Sequence, residues 1–307
     1  MFSVVFPGQG SQSVGMAKKL YNNFPYIKKL FREADDILKE SLSKVILDGP
    51  QEELNLTENT QPAIFLVSYS IYQLIKNETN KDLSNAKFFA GHSLGEYSAL
   101  AAAESISFNE SLKLLKARGK SMQSAVPKGV GGMVAVLGSD VELIKELLKK
   151  NIENYKCFIA NDNSVGQLVV SGKIKDLNHF INDLKKEKIK NIKLPVSAPF
   201  HCNLMRPATE IMKNEIMKAN LNIPKNTIIS NVTGDEVNES KKIKDLLIQQ
   251  IESPVRWRES VINMIKKGTK TFIEIGPGKV LSGLIKRINK DVEIISINEV
   301  EDLNKIT

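Results

Sequence analysis

The sequence contains little of the material that disulfide frameworks and metal sites require. Among its 307 residues are two cysteines, Cys157 and Cys202, and three histidines. The cysteines lack the paired spacing of zinc ligands, and two of them cannot build the disulfide network of a small secreted domain. We therefore expect no metal site and no disulfide framework.

Long apolar runs are missing as well. No stretch approaches the roughly 18 uninterrupted apolar residues of a membrane-spanning helix, and the N-terminus MFSVVFPGQG reaches Pro7 and Gly8 too early for a signal peptide. These absences predict a cytoplasmic protein without a membrane partner. Hydrophobic residues make up 42% and charged residues 25%, a balance that excludes disorder over most of the length.

Positive charge is in excess, with a formal net charge of +8. This excess favours acidic partners at long range. The lysines are scattered, as in KKEKIKNIK at residues 185–193, without the interleaved aromatic residues that stack on bases. We interpret them as a solvated basic face, and we expect no nucleic-acid partner.

Strand-like and helix-like segments alternate along the chain, which predicts an α/β fold. This alternation favours a mostly parallel sheet with helices on both faces. Because single cores stop growing at about 250–300 residues, we assign residues 1–125 and 197–307 to a large domain and residues 126–196 to an inserted one. The predicted elements of the large domain are strands at Phe2–Phe6, Lys87–Ala90, Thr227–Asn231 and Thr271–Ile275, and helices at Gly15–Leu20, Pro25–Lys39, Ala63–Ile75 with Pro62 in its first turn, Glu96–Ala103, Arg206–Ala219, Ile243–Ile251, Trp257–Lys267 and Lys279–Ile288.

The inserted segment has a strand and helix order of its own. The order is βαββαβ over about 70 residues, which is typical of a ferredoxin-like split βαβ unit. The predicted strands are Gly129–Leu137, Tyr155–Asn161, Gln167–Ser171 and Ile189–Leu194, and the predicted helices are Val141–Lys150 and Asp176–Lys188.

The segment Gly91-His92-Ser93-Leu94-Gly95 fits the pattern G-x-S-x-G between a predicted strand and a predicted helix. In this nucleophile elbow, small residues let the chain turn sharply enough to expose a serine hydroxyl above a sheet. Ser93 is therefore our candidate nucleophile. The alternative is an ordinary glycine-rich turn.

A serine hydroxyl needs an adjacent base, and imidazole has the best matched pKa. His92 adjoins the serine, where neighbouring side chains diverge, and we interpret it as a packed residue that braces the turn and can line the pocket. His179 lies in a polar helix and is expected to be solvated. Elimination leaves His201 as the general base, with a hydrogen-bonded structural histidine as the alternative.

Acyl transfer also needs backbone donors for an oxyanion. In an elbow, one donor is the N–H after the nucleophile, here that of Leu94, and Gln9 after the first strand can supply the second. Cys202, beside the candidate base, is interpreted as a small buried residue rather than a rival nucleophile. The loop 276–279 lacks the spacing and the Ser/Thr of a phosphate-binding loop, so we interpret it as a helix-entry turn and exclude an NTPase.

Eight separate segments resemble one family, the malonyl-CoA:acyl carrier protein transacylases of type II fatty acid synthesis. The segments span nearly the whole chain in the family's order. They are FPGQGSQ (6–12), TENTQPAIF (57–65), GHSLGEYSAL (91–100), ARGKSMQ (117–123), SAPFHCNLM (197–205), ISNVTG (229–234), QIESPVRW (250–257) and EIGPGKVLSGLIKR (274–287). The family's fold, a hydrolase-like α/β domain with an inserted ferredoxin-like subdomain, agrees with the domains assigned above.

The resemblance implies an activity: a malonyl group passes from malonyl-CoA to the phosphopantetheine thiol of an acidic acyl carrier protein, through a malonyl-serine. It makes Ser93 the nucleophile, His201 the base, and the N–H groups of Gln9 and Leu94 the oxyanion donors. The expected protein is a monomer without a cofactor, because CoA and phosphopantetheine belong to the substrates.

Two further roles come from the resemblance alone. Arg118 is similar to the family's arginine that pairs with the free malonyl carboxylate, whereas the residue pattern by itself favours a solvated helix charge. Gln250 is similar to the residue whose backbone carbonyl orients the histidine. The competing hypotheses are an acyltransferase of a secondary-metabolite (polyketide) synthase, a serine hydrolase of thioesters, and a basic nucleic-acid-binding protein.

Overall fold

Two β-sheets with helices packed against them make up the chain. The computed structural model describes residues 1–196 and 198–306. The strands are β1 (Phe2–Phe6), β2 (Phe88–Gly91), β3 (Gly131–Leu137), β4 (Cys157–Ser164), β5 (Gln167–Lys173), β6 (Lys190–Lys193), β7 (Thr227–Ile229), β8 (Glu236–Val237), β9 (Thr271–Ile275) and β10 (Glu293–Ile297).

Helices account for most of the remaining described residues. They are α1 (Lys18–Asn23), α2 (Pro25–Leu38), α3 (Leu42–Asp48), α4 (Gln51–Leu54), α5 (Thr57–Glu78), α6 (Gly95–Ala102), α7 (Phe108–Ser124), α8 (Val141–Lys150), α9 (Ile174–Lys186), α10 (Arg206–Lys218), α11 (Ser240–Gln250), α12 (Trp257–Lys266) and α13 (Val280–Ile288). Within the described residues, no helix combines the length and apolar character needed to cross a bilayer.

The larger sheet has the strand order β10-β9-β1-β2-β7-β8, and its pairs are parallel except for the short β8. Alternate residues of β1 enter different cores: Val4 and Phe6 belong to one hydrophobic cluster and Val5 to another. Burial on both faces explains why β1 and β2 are almost continuously apolar. The predicted mostly parallel sheet is confirmed.

The smaller sheet is antiparallel, with the order β4-β5-β3-β6. Val134 and Val136 of β3 pack into a separate core with Phe180 of α9, whereas Met133 and Ala135 face a cavity between the two sheets. The predicted βαββαβ order is thus observed. The domain boundaries at residues 125/126 and 196/197 stay a prediction, and Ser197 lies outside the described residues.

Strand β4 joins the smaller sheet to Val255 and α12, which pack against the larger sheet. The backbone of Asp162 donates to the carbonyl of Val255 (3.0 Å), and the N–H of Val255 donates to that of Ala160 (2.9 Å). The carboxylate of Asp162 also accepts three hydrogen bonds of 2.8–3.0 Å from Arg258 on α12. These bonds fix one edge of the smaller sheet over the carboxyl ends of the parallel strands.

One predicted helix start is wrong. Helix α5 begins at Thr57, so Pro62 lies in its interior instead of its first turn. The missing N–H of a proline costs one helical bond, but α5 is buried on nearly all sides, and burial outweighs that loss. The hydroxyl of Thr60 also donates to the carbonyl of Leu54 (2.6 Å), which satisfies an acceptor near the helix start.

Candidate active site

The turn that carries Ser93 is sterically demanding. Strand β2 ends at Gly91, α6 begins at Gly95, and Ser93 between them has a φ of 53°. A Cβ on Gly91 would lie 1.9 Å from the carbonyl oxygen of Gly95, and a Cβ on Gly95 would lie 2.4 Å from that of Phe6. Both glycines are therefore required for the backbone to turn this sharply, and the segment has the geometry of a nucleophile elbow.

Asn231 braces this turn from the neighbouring strand. Its Oδ1 accepts from the N–H of Ser93 (2.7 Å), and its Nδ2 donates to the carbonyl of Gly91 (2.7 Å). The predicted strand extends to Asn231, but β7 ends at Ile229, and this early end frees Asn231 to reach across. A polar residue just after a buried parallel strand was the signal that could have identified it.

His201 lies directly beside Ser93. The two atoms Ser93 Oγ and His201 Nε2 are 2.8 Å apart, and His201 Nδ1 donates to the backbone carbonyl of Gln250 (2.9 Å). Because a carbonyl only accepts, it places the proton on Nδ1 and leaves Nε2 as the acceptor. Burial, and then the positive charge of Arg118, lower the pKa of His201 to about 3. The free site therefore holds a neutral imidazole.

Arg118 is buried, with 1% of its surface exposed, so the expectation of a solvated helix charge from the residue pattern is wrong. Nη1 donates to Gln61 Oε1 (2.8 Å), and Nη2 donates to Gln250 Oε1 (2.7 Å) and to Ser93 Oγ (3.2 Å). Burial lowers the pKa of its guanidinium, and the opposing effects of Tyr97 and Glu96 are smaller. These three acceptors are neutral, so among the described residues no carboxylate contacts the guanidinium directly.

A second buried charge was missed by the sequence analysis. Glu96, one turn after Ser93, is 2% exposed and accepts from Gln250 Nε2 (2.7 Å) and from the N–H of Asn231 (3.1 Å). Burial raises the pKa of its carboxyl to about 7, although its hydrogen bonds and the charge of Arg118 act against this. The position within an apolar, fully buried helix was the available signal.

Gln9 and Leu94 both line the cavity that also holds Ser93. In the described part of the chain, neither N–H group has a hydrogen-bond acceptor. Two unpaired donors beside a serine hydroxyl are the arrangement that stabilises an oxyanion.

The two other histidines and Cys202 were also considered as reacting groups, and their surroundings differ from those of Ser93 and His201. His92 is partly buried, its Nε2 lies 2.8 Å from Asn163 Oδ1 on β4, and its ring contacts that of Trp257 edge to face. His179 is exposed, as expected. Cys202 is buried and its thiol donates to the carbonyl of Pro199 (3.1 Å); burial raises its pKa to about 11, which suppresses the thiolate.

A cavity of about 230 Å³ opens onto Ser93 between the two sheets. The polar end holds Ser93, Arg118 and His201, and apolar residues of β3, β5 and α13 cover the rest, namely Met133, Val169, Leu281 and Leu284. Among the described residues, no group of three or more potential metal ligands is found. The cavity can hold a thioester whose acyl end reaches the serine and whose long arm lies along apolar walls.

Comparison with known proteins places this geometry in a family. The family model described as the acyl transferase domain matches residues 3–302. The malonyl CoA-acyl carrier protein transacylase of Bacillus subtilis is 43% identical over 302 residues, covering 97% of this chain and 94% of the relative.

Solved structures agree. The acyl-carrier-protein-S-malonyltransferase of Bartonella henselae superposes with a TM-score of 0.96 at 40% identity, covering 99% of this chain and 98% of that chain. A malonyl-transacylase in complex with a type II PKS acyl-carrier protein superposes with a TM-score of 0.95 at 36% identity, with the same coverage. The chain belongs to the acyl transferase family, among the malonyl CoA-acyl carrier protein transacylases.

Proposed function

We propose that this protein transfers the malonyl group of malonyl-CoA to the phosphopantetheine thiol of an acyl carrier protein, through a malonyl ester of Ser93. The observation that carries the proposal is that Ser93 Oγ lies 2.8 Å from His201 Nε2 and 3.2 Å from Arg118 Nη2. One hydroxyl is thus in contact with a base and with a cation that can bind a carboxylate.

In the first half-reaction, Ser93 Oγ gives its proton to His201 Nε2 and attacks the thioester carbonyl carbon. The electron pair of the carbonyl bond moves to the oxygen, which the N–H groups of Gln9 and Leu94 stabilise. The carbonyl then re-forms, the carbon–sulfur bond breaks, and CoA leaves with the proton of Nε2.

In the second half-reaction, the pantetheine thiol gives its proton to His201 Nε2, and its sulfur attacks the ester carbon. The bond to Ser93 Oγ breaks, and this oxygen regains the proton. Because CoA and the carrier carry the same arm, one channel serves both, and the kinetics are ping-pong. CoA and phosphopantetheine enter as parts of substrates, so the proposal needs no resident cofactor.

The charge of Arg118 supports selection of an acyl group that ends in a carboxylate. A guanidinium offers paired donors to a carboxylate, and burial strengthens the contact. This charge also lowers the pKa of His201, so a bound carboxylate that neutralises it makes His201 a stronger base. Phe200, which is buried and lines the cavity, disfavours branched malonyl groups by its bulk.

The partner and its setting complete the proposal. An acidic acyl carrier protein fits the net charge of +8. A cytoplasmic monomer is the form predicted from sequence. An acyltransferase of a polyketide synthase would use the same chemistry with another carrier, and a thioester hydrolase would use water as acceptor.

Mass spectrometry of the intact protein tests the proposal. Brief exposure to malonyl-CoA should add one malonyl group to the wild type and none to Ser93→Ala, and addition of holo acyl carrier protein should remove it as malonyl carrier. Cys202→Ala is the matched control and should be labelled like the wild type. Absence of labelling in the wild type, or labelling of Ser93→Ala, would contradict the proposed nucleophile; rapid loss to water without carrier would indicate a hydrolase.

A further inference from the structure

Glu96 has a buried carboxyl that takes no part in the reaction steps above. Arg118 Nη2 donates to Gln250 Oε1 (2.7 Å), and Gln250 Nε2 donates to Glu96 Oε2 (2.7 Å). A single amide group therefore connects the two buried charges, and it lies against both the nucleophile and its base.

The direction of the Gln250 amide follows from its two neighbours. Arg118 can only donate, and an ionised Glu96 can only accept, so the oxygen of the amide must face Arg118 and its nitrogen must face Glu96. The same nitrogen donates to the carbonyl of Ser93 (3.1 Å), and the backbone carbonyl of Gln250 holds His201 Nδ1. Glu96 thus orients a residue that contacts the nucleophile, the base and the carboxylate-binding cation.

Charge balance gives Glu96 a second effect. The charged group whose field acts on Glu96 is Arg118 on α7. The other groups that face this carboxyl are neutral, namely Gln250 on α11 and Ser230 and Asn231 after β7. Tyr97 is the next residue on α6, and His201 lies on the far side of Gln250. A second negative charge beside Arg118 would compete with Glu96 for one guanidinium in a poorly solvated site.

We propose that Glu96 is a specificity-determining positioning residue: it is the internal counter-charge of Arg118, and a substrate carboxylate replaces it while Glu96 takes one proton from solvent. This inference rests on the proposed function. An acetyl group has no carboxylate, so its binding does not change the protonation state of Glu96. Malonyl binding is therefore linked to proton uptake, and acetyl binding is not.

The direction of the pH effect follows from this linkage. The pKa of Glu96 is raised to about 7, so below neutral pH the carboxyl is already protonated and malonyl binds without further cost. Above neutral pH, binding must first protonate Glu96. The preference for malonyl over acetyl should therefore fall as the pH rises through neutrality, by about tenfold for each unit by which the bound carboxylate raises the pKa of Glu96.

The test is the ratio of kcat/KM for acylation of Ser93 by malonyl-CoA and by acetyl-CoA, measured from pH 6 to pH 9. Titration of the CoA phosphates affects both thioesters and cancels in the ratio, and His201 with its lowered pKa stays neutral over this range. We expect the ratio to fall at least about threefold in the wild type. Glu96→Gln, which keeps the shape and one acceptor for Gln250, should show a flat ratio.

A matched control is Glu274→Gln. Glu274 is also a buried carboxyl whose pKa burial raises, but its partners are the N–H groups of Leu281 and Ser282 at the start of α13. Its ratio should fall with pH as in the wild type. A flat wild-type ratio, or an equal fall in Glu96→Gln, would overturn the inference.

A second measurement uses the wild type alone, so it holds even if Glu96→Gln does not fold. Acylation in weakly buffered solution near pH 8 should take up more protons with malonyl-CoA than with acetyl-CoA, and the difference should vanish near pH 5.5. Equal uptake at both pH values would refute the linkage. Failure of the proposed function itself gives a different result, which is absence of acylation by malonyl-CoA at every pH.

Discussion

Arg118 contacts the amide oxygens of Gln61 and Gln250 and the hydroxyl of Ser93, and each of these groups is neutral. Neutral acceptors hold the guanidinium in one orientation, and Glu96 acts on it only through Gln250, so the cation can still bind a ligand directly. At the scale of the residue, the proposed selectivity for a carboxylate thus depends on the absence of a carboxylate in direct contact with Arg118 among the described residues.

Removing the charge of Arg118 should affect malonyl transfer and acetyl transfer differently. Arg118→Ala should lower kcat/KM for malonyl transfer by about a hundredfold, because a buried charge-assisted pair contributes about 3 kcal/mol. Acetyl transfer should be retained or should rise, since the field that lowers the pKa of His201 is gone. Rates with both thioesters measure this, and an unchanged preference would disprove the carboxylate-binding role.

The low pKa of His201 gives a prediction about the rate of acylation at acidic pH. The base is active when neutral, and its pKa of about 3 in the free protein keeps it neutral throughout the usual assay range. The kcat/KM for acylation by acetyl-CoA should therefore stay within about twofold between pH 8 and pH 5, where an unperturbed histidine of pKa about 6.5 would lose more than tenfold. Single-turnover labelling over this range is the measurement, and a decline centred near pH 6.5 would contradict it.

Sequence reasoning reached some of these residues and missed others for a physical reason. Ser93 is marked by glycines that a sharp turn requires, and His201 by the scarcity of histidines. Gln61, Asn231 and Glu96 act through contacts between segments far apart in the chain, and no local pattern distinguishes such polar residues from ordinary ones.

At the scale of the element, the close approach of α6 to β1 fixes where the serine lies. Gly95 is the first residue of α6, and a Cβ there would lie 2.4 Å from the carbonyl oxygen of Phe6 and 2.8 Å from that of Pro7. Both are backbone atoms of the segment leading to Gln9, so they cannot move aside without displacing that loop.

Two glycine substitutions should therefore change the free energy of unfolding in opposite directions. Helix propensity alone favours alanine by about 1 kcal/mol, and Gly283→Ala in α13, where a Cβ would meet nothing within 4 Å, should stabilise the protein by up to about that amount. Gly95→Ala should instead lower the free energy of unfolding by about 2–4 kcal/mol because of overpacking against backbone. Urea unfolding measures both, and a neutral or stabilising Gly95→Ala would contradict the steric argument.

Elements with strong local signals were predicted well. Strands β1 and β9 and helix α8 match their predicted bounds, because short, largely apolar runs mark the two strands and the capping residue Asp140 marks the start of α8. Helices α3, α4 and α7 and strands β8 and β10 were given no predicted bounds. All of them except the 17-residue α7 are short, and the stability of these short elements comes from packing against distant partners, such as β9 for β10.

At the scale of the whole molecule, the site exists because the smaller sheet is fixed over the larger one. Strand β4 provides this link through Asp162 and Arg258, and Asn163 of the same strand contacts His92 beside the nucleophile. The alternation of strands and helices predicted both sheets, but how they meet depends on these tertiary contacts, which periodicity cannot reveal.

The overall charge of +8 gives a prediction on salt. Raising the ionic strength from 0.05 M to 0.5 M should lower the second-order rate constant for transfer to an acidic carrier protein by about tenfold, because screening weakens encounter. Transfer to N-acetylcysteamine, a small uncharged thiol acceptor, should change less than about twofold. Transfer rates measured with both acceptors at the two ionic strengths check this, and equal salt effects would contradict electrostatic steering.

The left-handed backbone shared by Ser93 (φ 53°) and His201 (φ 58°) has a consequence for how this protein can evolve. Such conformations cost non-glycine residues about 1–3 kcal/mol, so glycine at either position would relieve the cost and remove the chemistry. Thermostability screens that do not monitor turnover should therefore enrich inactive chains at these two positions. On the proposed function, the protein gives up part of its folding stability in order to keep its nucleophile and its base.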